Sequence, residues 1–172
     1  SKYKSEATGI ANLAGRSSAT LALGYQVFSQ FKEYEVFAQS CLKAAYELYN
    51  MGEKQEGYQQ GNSFGAPYRY EENTWADDME WAAACLYKIS KEKKFLKDAR
   101  AYAKIIGTWS WMERDTASHY EMYPFVNMGH YALWQVGDST DKKEMSKYYE
   151  HNLENMKKRA ENNPYGIGHL FI

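Results

Sequence analysis

Apolar residues recur every three or four positions along most of the chain, the spacing that places them on one face of an α-helix. In the second such segment, Phe37, Cys41, Ala45 and Leu48 follow this spacing. The pattern predicts six helices, over about residues 9–30, 34–51, 74–89, 95–106, 125–137 and 141–162. The fold class predicted from the sequence is therefore all-α.

Residue types at the ends of these segments predict where the helices begin and end. Thr74 is a predicted N-cap, which places Asp77 and Asp78 in the first turn, where carboxylates interact favourably with the helix dipole. Gly52 and Gly107 are the predicted C-terminal stops of the second and fourth helices.

The six helices form three similar pairs. Each first helix is alanine-rich and ends in an aromatic, a polar and a β-branched residue, and a short polar turn then leads to a more charged helix. Such repetition predicts helical hairpins with an inner and an outer layer, arranged as a solenoid or a closed toroid. The predicted hairpins cover about residues 7–51, 74–107 and 124–162 of a single domain.

The connections between hairpins, residues 52–73 and 108–123, are long and rich in aromatic side chains. Aromatic residues make up 16% of the chain, and many of them fall between the helices. Long loops on a rigid scaffold commonly carry binding residues. The loops therefore favour a surface on which sugar rings could stack, although packing of the rings onto the helices explains the same pattern.

Charge and cysteine content exclude or leave open other classes. The net charge of −1 gives no electrostatic reason for a nucleic-acid or membrane partner, and no segment is apolar enough to span a bilayer. Cys41 and Cys85 lie in apolar stretches and are predicted to be buried free thiols. The histidines lack metal-ligand spacing, so no metal or cofactor is predicted, and His130 is interpreted as a core residue. The paired acids Asp77-Asp78 are interpreted as solvated charge.

Several segments, taken in order, resemble glycoside hydrolase family 9. The segment WADDMEWAAACLY (75–87) is similar to the family's D-E-L-x-W-A-A-A-W-L-Y, and FLKDA (95–99) is similar to Y-L-x-x-A. The small-residue run at 14–28 resembles the family's inner helix, FVNMGHY (125–131) lies where W-D-x-x-x-x-G is common, and NPYGI (163–167) resembles N-P-F-G-x. The resemblance corresponds to the middle-to-late part of that family's catalytic domain and covers nearly the whole chain.

The resemblance implies part of an (α/α)6 toroid of six hairpins, of which about three are present. It also implies hydrolysis of β-1,4-glucans with inversion, which requires a carboxylate base and a carboxylic acid roughly 6.5–9.5 Å apart. The family's D-A-G-D base motif does not occur in the 172 residues, nor does the stretch that carries the acid. We therefore expect a fragment of a polysaccharide-degrading enzyme, inactive alone, self-associating through the truncated barrel, and secreted or periplasmic.

Five residues are the candidate contacts to an oligo- or polysaccharide. Asp77 matches a family Asp that contacts sugar, Asn127 stands where an Asp is common, and Trp75, Phe125 and Tyr70 are candidate stacking rings. A helix-dipole role for Asp77 and loop packing for the rings are the alternative interpretations. Two other classes stay open: another six-hairpin sugar enzyme, such as an unsaturated glucuronyl hydrolase or an epimerase, and a non-catalytic helical-repeat binding module.

Overall fold

The computed structural model describes residues 7–59, 74–108 and 127–168. Within these ranges all regular secondary structure is helical, with a short 3-10 turn, Lys32–Tyr34, between the first two α-helices. The all-α prediction is therefore confirmed. The helices are α1 Ala11–Phe28, α2 Glu35–Lys54, α3 Ala76–Ser90, α4 Lys93–Ile106, α5 Met128–Val136 and α6 Ser139–Asn162.

The odd-numbered helices form the inner row. α3 packs against both α1 and α5, while α2, α4 and α6 each pack mainly on the helix that precedes them. Small side chains make this close packing possible, and Ala19, Ala82, Ala83 and Ala84 are fully buried. The alanine content of the odd helices thus reflects their position between neighbours on more than one side.

Two glycines bring the inner helices into backbone contact near the start of α3. A Cβ atom on Gly15 of α1 would lie 2.7 Å from the carbonyl carbon of Asp78. A Cβ atom on Gly129 of α5 would lie 2.8 Å from the carbonyl oxygen of Asp77. Since real Cβ atoms do not approach other atoms so closely, both positions require glycine. The first turn of α3 is therefore held between α1 and α5.

Polar side chains connect the outer helices to one another. Tyr49 of α2 is fully buried, packs edge-to-face on Phe95 of α4 and donates a 3.0 Å hydrogen bond to Asp98. Arg100 of α4 forms hydrogen bonds of 2.7 and 2.8 Å with Asp141 of α6. Asp141 belongs to the capping box that begins α6, so the same carboxylate stabilises the helix start and the contact between hairpins.

Some predicted helix ends differ from the observed ones. Thr74 does not cap α3, which begins at Ala76 after Trp75 without a side-chain cap, and packing of Trp75 on Tyr102 accompanies this start. Gly52 lies inside α2, which continues to Lys54, so this glycine does not end the helix. Glycine is favoured there by packing, because a Cβ atom would lie 2.6 Å from the Met79 sulfur. Gly107 does follow the last residue of α4, with a positive φ of 51°.

Two further properties concern the thiols and the membrane. Cys41 and Cys85 are buried free thiols, as predicted from their apolar surroundings. In the ranges described, none of the helices combines the length and apolar character needed to cross a bilayer.

Candidate functional site

The N-terminal ends of α3 and α5 bring three of the five candidate residues together. Trp75 and Asp77 lie at the start of α3, and Asn127 immediately precedes α5. The contact between Gly129 and the carbonyl of Asp77 keeps these helix ends adjacent. Tyr70 and Phe125, the other two candidates, lie outside the described residues.

The described contacts of Trp75 are packing contacts. Its ring is partly buried against the core and lies edge-to-face with Tyr102, with centroids 5.6 Å apart. Such a pair stabilises the start of α3 on α4 beyond the area that it buries. A stacking role for the remaining exposed part of the indole stays a prediction.

Asp77 and Asp78 are buried, so the interpretation of this pair as solvated charge is wrong. Each residue is only 4% exposed. Asp78 accepts two hydrogen bonds from Arg16 of α1, at 3.0 and 2.9 Å, in the bidentate geometry that guanidinium and carboxylate groups favour. Neighbouring helices cover the start of α3, and the arginine of one of them compensates the buried charge.

Asn127 occupies the N-cap position of α5 but makes no side-chain capping bond. Its backbone carbonyl accepts a 3.2 Å hydrogen bond from the Tyr149 hydroxyl of α6. The backbone at Asn127 is thus held by α6, while the amide side chain is not used to begin the helix.

A buried polar pair, Glu80 and His130, lies directly beneath this end of the inner helices. Nδ1 of His130 lies 2.9 Å from Oε1 of Glu80, and its Nε2 donates a 2.7 Å hydrogen bond to the Gly107 carbonyl. Both residues are fully buried. His130 was correctly predicted to be a core histidine, whereas Glu80 was not recognised as its partner from the sequence.

The two members of this pair retain protons more strongly than free side chains do. Burial raises the pKa of Glu80, and the hydrogen bond from His130 only partly opposes this. Burial alone would lower the pKa of His130, but its bond to Glu80, the Glu80 charge and the Gly107 carbonyl outweigh that effect and raise it. The pair is therefore a strong proton-binding site inside the fold.

A surface groove borders this end, since Tyr149, which bonds the Asn127 carbonyl, is part of its lining. This largely apolar groove of about 340 Å³ runs between α5 and α6, lined by Tyr131, Trp134, Tyr149 and Leu153 among others. No group of three or more His, Cys, Asp or Glu residues that could hold a metal ion is present in the ranges 7–59, 74–108 and 127–168.

Comparison with known proteins identifies the family. A sequence profile described as Glycosyl hydrolase family 9 matches residues 1–168. The chain belongs to glycosyl hydrolase family 9. The resemblance noted in the sequence is thereby confirmed, and family membership favours a glycoside hydrolase over the two alternative classes. No curated protein sequence matches the chain.

Solved structures of this family share the fold. The cellulase Cel9M of C. cellulolyticum has a TM-score of 0.68 and 24% identity, over 88% of this chain and 32% of its own. The family 9 endoglucanase J30 has a TM-score of 0.62 and 20% identity, over 92% of this chain and 29% of its own. A Zn-binding triple mutant of J30 gives the same values. This family 9 chain spans about a third of the length of these relatives and forms part of an (α/α)6 toroid.

Proposed function

We propose that this family 9 chain provides part of the sugar-binding surface of an inverting hydrolase that acts on a β-1,4-linked glucan. The observation that carries the proposal is the adjacency of Asp77 and Asn127 at the loop-bearing ends of two inner helices, in a chain that matches the family over residues 1–168. The cellulase and endoglucanase named above support a glucan as the substrate class.

The proposed contacts follow from the chemistry of sugars. Sugar hydroxyl groups both donate and accept hydrogen bonds, so the amide of Asn127 can do both. Asp77, which is only 4% exposed, is proposed to accept through that exposed part. Aromatic faces complement the apolar faces of pyranose rings, which is the role proposed for Trp75, Phe125 and Tyr70. The ion pair of Arg16 with the neighbouring Asp78 would keep the turn that carries Asp77 in one position.

The catalytic carboxylates of the proposed reaction are not assigned to this chain. Inversion needs a base that activates water and an acid that protonates the leaving oxygen. Because no D-x-G-D motif occurs in the 172 residues, we propose that the chain binds substrate without cleaving it, and that activity belongs to a larger protein. The apolar groove between α5 and α6 is the proposed surface for the self-association expected from the sequence.

Binding of cello-oligosaccharides tests the proposal directly. We would titrate the chain with cellohexaose by calorimetry and tryptophan fluorescence, and compare Asp77→Asn, Asn127→Ala and Trp75→Ala. Each variant removes one hydrogen-bonding or stacking contact worth about 1 kcal/mol, which would weaken binding about fivefold. Circular dichroism would verify that each variant is folded.

Matched controls lie at the opposite end of the inner helices. Gln135→Ala removes an exposed amide near the end of α5, and Phe31→Ala removes an exposed ring beyond the end of α1, and neither should affect binding. Equal loss in the controls and the site variants, or no binding of the oligosaccharide at all, would contradict the proposed glucan site.

A further inference from the structure

Glu80 and His130 join three separate parts of the fold. Glu80 lies on α3, His130 on α5, and the Gly107 carbonyl, which accepts from His130, follows the end of α4. The side chains of both residues are 1% exposed or less, so water does not compete for these bonds. Loss of either hydrogen bond would therefore change the contacts between α3, α4 and α5.

The hydrogen-bond geometry fixes the number of protons that the pair holds. A backbone carbonyl only accepts, so Nε2 of His130 must carry a hydrogen to bond Gly107. The 2.9 Å contact between Nδ1 and Oε1 of Glu80 needs a second hydrogen, because two lone pairs would otherwise face each other. Whether that hydrogen sits on the imidazole or on the carboxyl group, the pair holds one proton more than a neutral histidine beside an ionised glutamate.

The surroundings leave little room to accommodate loss of this proton. Oε2 of Glu80 has no hydrogen-bond partner among the described residues and would lie 2.8 Å from a Cβ atom on Gly129. The ring of Tyr148 stacks on the imidazole with centroids 5.0 Å apart. Among the described residues, the titratable groups that face the pair are Asp77 on α3 and Tyr148 and Tyr149 on α6. None of these three is a cation that would compensate the net negative charge left by loss of the proton.

We propose that the proton shared by Glu80 and His130 positions the sugar-facing end of the inner helices and makes that position dependent on pH. His130 is next to Gly129 and three residues from Asn127, while Glu80 is one turn beyond Asp77. With the proton in place, the pair keeps the start of α5 against α3. Without it, the neutral imidazole has a single N–H for two acceptors, so it loses its hydrogen bond either to Glu80 or to the Gly107 carbonyl, and the end of α5 that carries Asn127 separates from Asp77. The role in sugar binding rests on the proposed function, whereas the proton dependence does not.

The sign of the pH dependence follows from proton linkage. The pKa values of both residues are raised in the folded protein, so the contribution of the pair is fully present below the ordinary histidine pKa of about 6.5. As the pH rises further, the unfolded chain loses a proton that the folded chain keeps. The ratio of folded to unfolded protein attributable to this pair then falls about tenfold per pH unit, until the folded pair itself titrates.

The variant Glu80→Gln separates the proton from the hydrogen bond. The glutamine amide can donate to Nδ1 of a neutral His130 and so preserve the contact without a shared proton. We would measure urea unfolding of the wild type and Glu80→Gln between about pH 5.5 and about pH 9. The exposed His151 provides the control, since His151→Gln removes a histidine outside the core.

The wild type and His151→Gln should lose stability above about pH 6.5, and Glu80→Gln should not. Identical pH profiles for wild type and Glu80→Gln would overturn the proposal. If Glu80→Gln did not fold, His130→Gln would serve instead, since it also removes the shared proton.

The positioning role has a readout of its own. In NMR spectra, the amide resonances of Asp77, Asn127 and Gly129 should shift with the same alkaline midpoint in the wild type and stay constant in Glu80→Gln. Resonances of Asn127 that do not titrate would overturn the positioning role. Cellohexaose affinity measured over the same pH range should fall with that midpoint. If cellohexaose does not bind at any pH, the proposed function is contradicted. The unfolding and NMR results then still decide whether the Glu80–His130 contact depends on the proton.

Discussion

Two glycines of α1 provide a direct test of how closely the inner helices pack. Replacing either by alanine removes backbone freedom from the unfolded chain and improves helix propensity, a gain of about 1 kcal/mol. The two sites differ in their surroundings. Among the described residues, a Cβ atom on Gly24 would meet only the Cys41 sulfur, at 3.7 Å, which is an ordinary contact. One on Gly15 would lie 2.7–2.8 Å from three backbone atoms of Asp78 and Met79.

The expected stabilities therefore have opposite signs. Gly24→Ala should stabilise the protein by about 1 kcal/mol. In Gly15→Ala the clash involves backbone atoms, which cannot rotate away, so an overpacking cost near the upper value of about 3 kcal/mol applies. The net destabilisation is about 2 kcal/mol. For a chain of this size, 1 kcal/mol shifts Tm by about 2–4 °C, so Tm should rise by about 2–4 °C in Gly24→Ala and fall by about 4–8 °C in Gly15→Ala.

Thermal unfolding followed by circular dichroism at 222 nm measures both values in one experiment. Since the substitutions lie in the same helix, any general effect of alanine on α1 is common to them and cancels in the comparison. A Tm for Gly15→Ala equal to or above that of the wild type would refute the inference that α1 and α3 are in backbone contact.

Two further predictions concern the outer layer and the core. Arg100→Met should lower the free energy of unfolding, measured in urea, by about 1–3 kcal/mol, because it leaves the largely buried Asp141 carboxylate without its guanidinium partner. As a control, Lys157→Met at an exposed ion pair should change the free energy of unfolding by less than about 0.5 kcal/mol. Equal effects would show that the contact between hairpins is weak. Burial raises the pKa of the Cys85 thiol to about 12, so Ellman's reagent should modify Cys41 and Cys85 only after denaturation, and rapid reaction of the native chain would contradict their burial.

Local features of the helices could be predicted from the sequence because they depend on residues a few positions apart. The spacing of apolar residues in α2 and the glycine after α4 are of this kind, since both act within one or two turns. The same reasoning failed at Gly52. A glycine near a helix end can either terminate the helix or leave space for a neighbouring side chain, which here is Met79. Only the tertiary structure distinguishes these two roles.

The interactions that organise the candidate site could not be predicted, because they join distant positions. Arg16 and Asp78 are 62 residues apart, and Glu80 and His130 are 50 residues apart. Periodicity indicates that His130 lies on an inner helix. The available sequence signal for its partner was Glu80, a charged residue within the alanine-rich segment that forms α3. The sequence favours solvated charge for Asp77 and Asp78 because adjacent acids at a helix start point in different directions, and their own segment does not indicate that α1 and α5 cover them.

Backbone contact at Gly15 and Gly129 has a consequence for recognition. A ligand held by groups on two helices is selected only if the distance between those groups is constant to a fraction of an ångström, since a hydrogen bond weakens steeply with small displacements. Bulky side chains between helices can repack and let the helices slide, whereas backbone atoms in direct contact have no such freedom. The glycines therefore act as spacers. While the Glu80–His130 pair keeps its proton, the backbone contact at Gly129 sets a single separation between the starts of α3 and α5.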